Sequence, residues 1–363
     1  MQDFLEQNQD SGLKITLSQE REPLGTAGPL ALAKELLDDG EPFFVMNCDV
    51  ACEMNLRALL DFHRAHGKVG TILATRVDEP AKYGKSVVVA HDTGLIDRFV
   101  EHGRTFAGNL INAGVYIFSP SIFERLSLRP TSMEKEVAAR DAAHPRRKQR
   151  ARAAASSAPV RACHASMLAA SCATVCLGRA PSHASPQVLP SLAAEEQLYC
   201  KTLDPLDGFW MNIKKPPDFL QGTSLYLRYL RRHQHTELAA PPAPGERTAA
   251  WTCDGNVILD PSASIGAGSK LGPDVVVGAG CVVEEGVRLS RCILLEGARV
   301  CAHAVVLDSI LGWRSTVGSW TRVEGVSVLG EDVHIGPELC VNGALILPHK
   351  EITESVAEPK IIM

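Results

Sequence analysis

The chemistry-bearing residues cluster in short stretches. Asn47-Cys48-Asp49-Val50 follows the apolar run 42–45, which reads as a buried strand with polar residues at its C-terminal end. In an α/β sheet that end is where ligands bind. A hard carboxylate such as Asp49 suits Mg²⁺, which also takes phosphate oxygens as ligands. An aspartate there is also a common helix cap or turn residue. Leu24-Gly25-Thr26-Ala27-Gly28-Pro29 is the second stretch. Gly25 lets backbone approach a flat ligand, and the helix that follows offers free N–H groups at its start. A plain turn with Pro29 at the first helical position accounts for the same residues.

Other clusters carry less chemistry. Arg146-Arg147-Lys148-Gln149-Arg150-Ala151-Arg152 is a basic tract, read as a solvated run before a nuclear-import or nucleic-acid patch. Cys163, His164, Cys172, Cys176 and His183 contain zinc-type ligands, but their spacing matches no familiar finger.

The elements that must position these residues follow from periodicity. Residues 13–17, 42–45, 71–77, 86–90 and 115–118 read as strands, and 29–37, 56–66 and 225–230 as helices. Strands alternating with helices predict an α/β sheet, mostly parallel. Residues 138–187 hold Ala, Ser, Pro and basic residues with no sustained period, which predicts an unpacked insert. Residues 238–252 read as a Pro/Ala-rich linker.

From residue 253 an apolar position recurs every six residues: Leu259, Ile265, Leu271, Val277, Val283, Leu289, Leu295, Cys301, Leu307, Trp313. After one slip, Val317, Val323, Leu329, Ile335, Val341 and Leu347 continue at the same step. Four residues after each apolar position come mostly small or β-branched residues, among them Ala263, Ser269, Val275, Cys281 and Val287. One strand and one turn per hexad is one side of a triangular coil, so the pattern predicts a left-handed parallel β-helix of hexapeptide repeats. Gly266, Gly272, Gly278 and Gly286 fall near its turns. Hexapeptide-repeat acyltransferases share such a coil and use a histidine base, for which His303, His334 and His349 are the candidates.

The expected division is therefore a domain over 1–237 with the insert 138–187, a linker over 238–252, the β-helix over 253–350 and a tail over 351–363. The net charge of -5 gives no general attraction to nucleic acid or anionic membrane. No apolar run approaches the roughly 20 residues of a membrane helix, and the polar first ten residues are no signal peptide. Eleven cysteines without a framework favour a reducing, cytoplasmic setting.

Together these runs resemble the sugar-1-phosphate nucleotidyltransferase family, and within it the catalytic type of mannose-1-phosphate guanylyltransferase. The resemblance is carried by Pro23-Leu24-Gly25-Thr26-Ala27-Gly28, Phe43-Phe44-Val45-Met46-Asn47-Cys48-Asp49, Glu79-Pro80-Ala81-Lys82-Tyr83-Gly84, Arg98-Phe99-Val100-Glu101, Ile111-Asn112-Ala113-Gly114, Gly208-Phe209-Trp210-Met211-Asn212 and the ending Glu358-Pro359-Lys360-Ile361-Ile362-Met363. It implies a Rossmann-like α/β domain, N-terminally incomplete, before the β-helix. It implies GTP and mannose 1-phosphate as substrates, GDP-mannose and pyrophosphate as products, and Mg²⁺ as cofactor. Gly25, Thr26 and Asn47 would bind the nucleotide, Gly84, Glu101 and Asn112 the sugar, and Asp49 and Asn212 the metal. A homo- or hetero-oligomer with related subunits is also implied.

The departures from the family pattern set a further expectation. The family's Gly-x-Gly-x-Arg-Leu loop, which cradles the triphosphate, has no counterpart in these residues. Glu101-His102-Gly103 stands where the family has Glu-Lys-Pro, and Asn212 stands where it has a second metal carboxylate. No catalytic set is intact on this reading. Impaired turnover is expected, with a non-catalytic subunit that holds nucleotide sugar or an active partner as the alternative.

Overall fold

The structure is a computed structural model, and it describes residues 15–22, 24–83, 85–90, 92–101, 108–128, 133, 172–174, 188–204, 206, 208–239 and 251–363. The chain forms two compact units. One comprises Met1–Cys48 and Leu56–Leu203, the other Asp49–Asn55 and Asp204–Met363. The division falls inside the Asn47-Cys48-Asp49 motif rather than near residue 237.

The first unit is built on a mixed sheet. Short helices α1 (Gly28–Leu32) and α2 (Lys34–Leu37) precede strand β1 (Phe43–Met46). After β2 (Val50–Glu53) come α3 (Leu56–His66), β3 (Gly70–Arg76), β4 (Lys85–Val89), β5 (Ile96–Glu101) and β6 (Leu110–Phe118). Then follow β7 (Cys172–Thr174), α4 (Val188–Ala194) and β8 (Leu198–Thr202). The expectation of a mostly parallel sheet is not met among the described strands. β6 runs antiparallel to β1, β3 and β4, and β4 pairs antiparallel with β5, while β1–β7 and β3–β8 are parallel. The sequence suggested parallelism because helices separate some strands, but β4 to β6 follow one another without a helix among the described residues.

Phe43, Val45, Ile72, Tyr116, Phe118 and Leu198 form this unit's core, with Leu30, Leu189 and Leu192 packed on the sheet. The predicted helix 29–37 is two turns interrupted at Ala33, and residues 15–17 form no strand, with Ile15 and Leu17 each 50% exposed. Their alternating pattern finds no sheet edge to pair with among the described residues. The basic tract 146–152 lies outside the described residues, as do the zinc-type ligands Cys163, His164, Cys176 and His183. Of the insert, only Cys172–Thr174 is described, as the strand beside β1.

The second unit joins a two-stranded ribbon, a long helix and a solenoid. β2 pairs antiparallel with β9 (Phe209–Asn212), and α5 (Pro216–Arg232) follows. From Thr252 the chain coils through three parallel sheets of six, seven and six strands. Leu271, Leu289, Val306, Val323 and Val341 are successive partners in one sheet, so coils are 17 or 18 residues long. Leu271, Val277, Val283 and Leu289 point inward as the hexad predicted. Beyond them the predicted register is one residue off as far as Leu307 and two off at Trp313. The buried positions are Leu294, Val300, Val306 and Leu311, while Leu295, Cys301 and Leu307 are half-buried and Trp313 is 49% exposed. Five-residue steps at 289–294 and 306–311, and again at 341–346, shorten those coils.

Two residues before most inward apolar side chains sits a small buried one, as with Ser309 before Leu311, Ser315 before Val317 and Ser327 before Leu329. Residues two apart on a strand share a face, and the narrow corner of the triangle takes only the smaller. The buried hydroxyls are satisfied within the coil, Ser315 by the Gly312 carbonyl at 2.7 Å and Ser327 by the Glu324 carbonyl at 2.6 Å. The strands continue through the expected tail, with Glu351–Ile352 and Ile361–Ile362 both paired.

Candidate functional site

In the first unit, a distortion of β6 links two of the predicted ligand residues, Asn47 and Asn112. Between β3 and β6 the register runs Ile72 to Tyr116 and then Ala74 to Asn112, so β6 holds two more residues than its partner there. Gly114 absorbs the irregularity at φ 76°. Such bulges re-aim side chains. Here the Asn112 Oδ1 accepts the Gly114 N–H at 3.0 Å, its Nδ2 donates to Tyr116 Oη at 2.9 Å, and the Gly114 carbonyl accepts the Asn47 N–H at 2.9 Å. Asn47, predicted to face the nucleotide, and Asn112, predicted to face the sugar, are thus one glycine apart in the hydrogen-bond network.

Asn47 also carries an unmet demand. Its Oδ1 is buried without a hydrogen-bond partner among the described residues. Leaving a buried acceptor unpaired costs about 1–3 kcal/mol, which a donor on a bound ligand would recover. Gly25 is buried with φ 77°, a conformation that excludes other residues without strain. The Thr26 hydroxyl accepts the Met133 N–H at 2.7 Å and keeps its own proton to donate. Glu101 ends β5, paired through its backbone with Lys85; Gly84 and His102 lie outside the described residues.

In the second unit the two predicted metal residues sit on adjacent strand ends. Val50 is register partner to Asn212, and the Asp49 carbonyl accepts the Ile213 N–H at 2.7 Å. Asp49 and Asn212 are both half-buried. The donor set is all hard oxygen, one anionic and one amide. That fits Mg²⁺, which binds proteins through one or two carboxylates and completes its shell with water and phosphate. Among the described residues no cluster of three or more His, Cys, Asp or Glu is arranged to hold a metal alone.

Sequence reasoning missed a histidine circuit in the first unit. Lys68 N–H donates to His66 Nδ1 at 3.0 Å, so the His66 proton is on Nε2, 2.7 Å from Thr71 Oγ1. Ser119 Oγ donates to the Lys68 carbonyl, so it accepts from His63 Nε2 at 3.0 Å and leaves His63 Nδ1 to accept from Thr71 at 2.8 Å. Both imidazoles are neutral, and burial holds each at about 4. Two histidines three apart on a helix gave no signal, because their partners lie outside it, Thr71 on β3 and Ser119 just after β6. The solenoid histidines stand on its surface, His303 against Trp320 and His334 and His349 on either side of Asp332.

Comparison with known proteins completes the picture. Residues 1–158 match the nucleotidyl transferase family and residues 253–362 the GMPPB C-terminal domain. Fold and matches define the class, a nucleotidyltransferase domain followed by a parallel solenoid. The chain is 43% identical to probable mannose-1-phosphate guanylyltransferase 3 of Oryza sativa subsp. japonica, over 100% of this chain and 84% of that one. It is 44% identical to the mannose-1-phosphate guanylyltransferase catalytic subunit beta of Danio rerio, over 98% and 82% of the two chains. To the mannose-1-phosphate guanyltransferase of Neurospora crassa it is 44% identical, over 97% and 80%. The chain belongs to the mannose-1-phosphate guanylyltransferase family.

Proposed function

We propose that this chain binds GTP, mannose 1-phosphate and GDP-mannose, and interconverts them with pyrophosphate slowly. In the forward reaction an oxygen of the sugar phosphate attacks the α-phosphorus of GTP. The bond from that phosphorus to the pyrophosphate oxygen breaks. Gly25 and Thr26 face the base, Asn47 accepts a donor from the nucleotide, and Gly84, Glu101 and Asn112 hold the sugar. Asp49 and Asn212 hold Mg²⁺, which supplies charge neutralisation at the phosphate oxygens.

The observation that carries the binding reading is the buried, unpartnered Asn47 Oδ1 beside the bulge that fixes Asn112. Slow turnover follows from charge. The amide of Asn212 ligates without neutralising, and His102 stands where the family has a lysine. Cys200, Cys281 and Cys292 are buried free thiols, which accords with a cytoplasmic setting. No helix among the described residues is long and apolar enough to cross a membrane. The same reading has the chain assembling with itself or with related guanylyltransferase subunits.

Calorimetric titration with GDP-mannose tests the binding. Asn112→Ala removes the acceptor for Gly114 N–H and the donor to Tyr116, and is expected to weaken binding about tenfold or more. Asn47→Leu, which removes the orphan acceptor, is expected to weaken it similarly while leaving the unfolding midpoint unchanged or raised. Unchanged affinity in both variants contradicts the assignment.

A further inference from the structure

Helix α5 is held on two opposite faces, one of them by a polar clamp around the buried Asn256 that the proposed chemistry does not use. At 3.6 residues per turn, Gly222, Tyr226 and Tyr229 share one side of α5, and Ser224, Arg228 and Arg231 the other. The first side lies on β9. A Cβ at Gly222 would stand 3.4 Å from Met211 Cγ and 3.6 Å from Ile213 Cδ1. The Phe209 ring is 5.8 Å from Tyr226 and 5.9 Å from Tyr229, centroid to centroid. The start of α5 is tied to the end of β9, because Asp218 Oδ2 accepts the N–H groups of Lys214 at 3.2 Å and Lys215 at 3.0 Å.

The other side of α5 is fixed to the first two solenoid coils. Asp274 accepts from the Ser224 hydroxyl, and at 3.1 Å from Asn256 Nδ2. Asn256 Oδ1 in turn accepts from Arg231 Nη1 at 3.2 Å, and Arg228 Nη2 donates to Ser224 Oγ at 3.2 Å. Asn256 is buried, and both ends of its amide are spent on the clamp. Asp274 sits at a coil corner with φ 54°, so its backbone is fixed by the solenoid rather than by α5.

We infer that Asp274 is a positioning residue for the cation pair Asp49 and Asn212, acting from the solenoid through α5 and β9. The inference rests on the assignment of the cation to those two residues. The line of contacts is continuous within one compact unit: Asp274 to Ser224, α5 to Met211 and Ile213 on either side of Asn212, and Ile213 N–H to the Asp49 carbonyl. Asn212 lies between two residues whose side chains pack on the helix that Asp274 anchors. A shift of α5 therefore changes where Asn212 and the Asp49 backbone stand.

The test is Mn²⁺ binding to the full chain, read by water-proton relaxation, with unfolding midpoints measured on the same samples. Asp274→Asn keeps a residue tolerant of positive φ but turns an amide N–H₂ toward a donor. Ser224→Ala removes one leg of the clamp and serves if the first variant does not fold. Both are expected to weaken Mn²⁺ binding about 3- to 30-fold in the fully folded protein, and Asp49→Ala to abolish it. A lower unfolding midpoint with unchanged Mn²⁺ affinity shows the clamp to be structural only and overturns the inference. An unaltered chain whose Mn²⁺ signal is indifferent to Asp49→Ala overturns the cation assignment and this inference with it.

Discussion

Asn47 Oδ1 and the His63 ring are buried polar groups with opposite fates. Among the described residues the first has no partner, and the second has two. His63 is 1% exposed, and burial first, with His66 and Arg64 nearby, lowers it from 6.5 to about 4. A histidine whose folded value lies below its unfolded one binds fewer protons when folded. Its stabilising contribution is full above pH 6.5, declines as the pH falls toward 4 and is gone below that. Between pH 7.5 and 5, His63 is expected to cost the fold about 2 kcal/mol, read by denaturant unfolding of the first unit. His63→Gln should flatten that slope, and an equal slope in the variant contradicts the circuit. His66, half-exposed beside Lys68, shifts in the same direction and steepens the effect.

At the scale of elements, the solenoid is the part most legible in sequence, and its failure point is instructive. The hexad holds while each coil has 18 residues. Once coils shorten to 17, apolar neighbours such as Leu294-Leu295 and Val306-Leu307 let a strict six-residue count continue on the wrong residue. Contiguous motifs let the sequence nominate candidate site residues, as at Asn47 and Asn112. The bulge that joins them was not legible, because a bulge is a property of strand register and not of either strand alone. β2 and β9 gave no period, being four-residue strands half-buried along most of their length.

Glycine at the coil corners gives a sharper test. Gly272 has φ 108°, and a Cβ there would fall 1.7 Å from the Asp254 carbonyl oxygen. Gly280, at φ 62°, faces open space. Gly272→Ala is expected to destabilise by at least about 2 kcal/mol, combining backbone strain with overpacking. Gly280→Ala should cost only the left-handed penalty of about 1–2 kcal/mol. Equal losses in thermal melts would contradict the coil-to-coil packing at Gly272.

For the whole molecule, the candidate residues divide between two units with separate cores. Those proposed for nucleotide and sugar, from Gly25 to Asn112, belong to the first. Asp49 and Asn212 belong to the unit that carries the solenoid. On the proposed reading the candidate residues come from both units, and this chain's departures fall in both, His102 in the first and Asn212 in the second.

Pyrophosphate release from GTP and mannose 1-phosphate, titrated with Mg²⁺, tests that account most directly. The unaltered chain is expected to turn over slowly, with Asp49→Ala abolishing what remains. Asn212→Asp restores one negative charge to the cation site and is expected to raise the rate and lower the Mg²⁺ concentration for half-maximal activity, each by about tenfold. Fast turnover in the unaltered chain that is indifferent to both substitutions would contradict it.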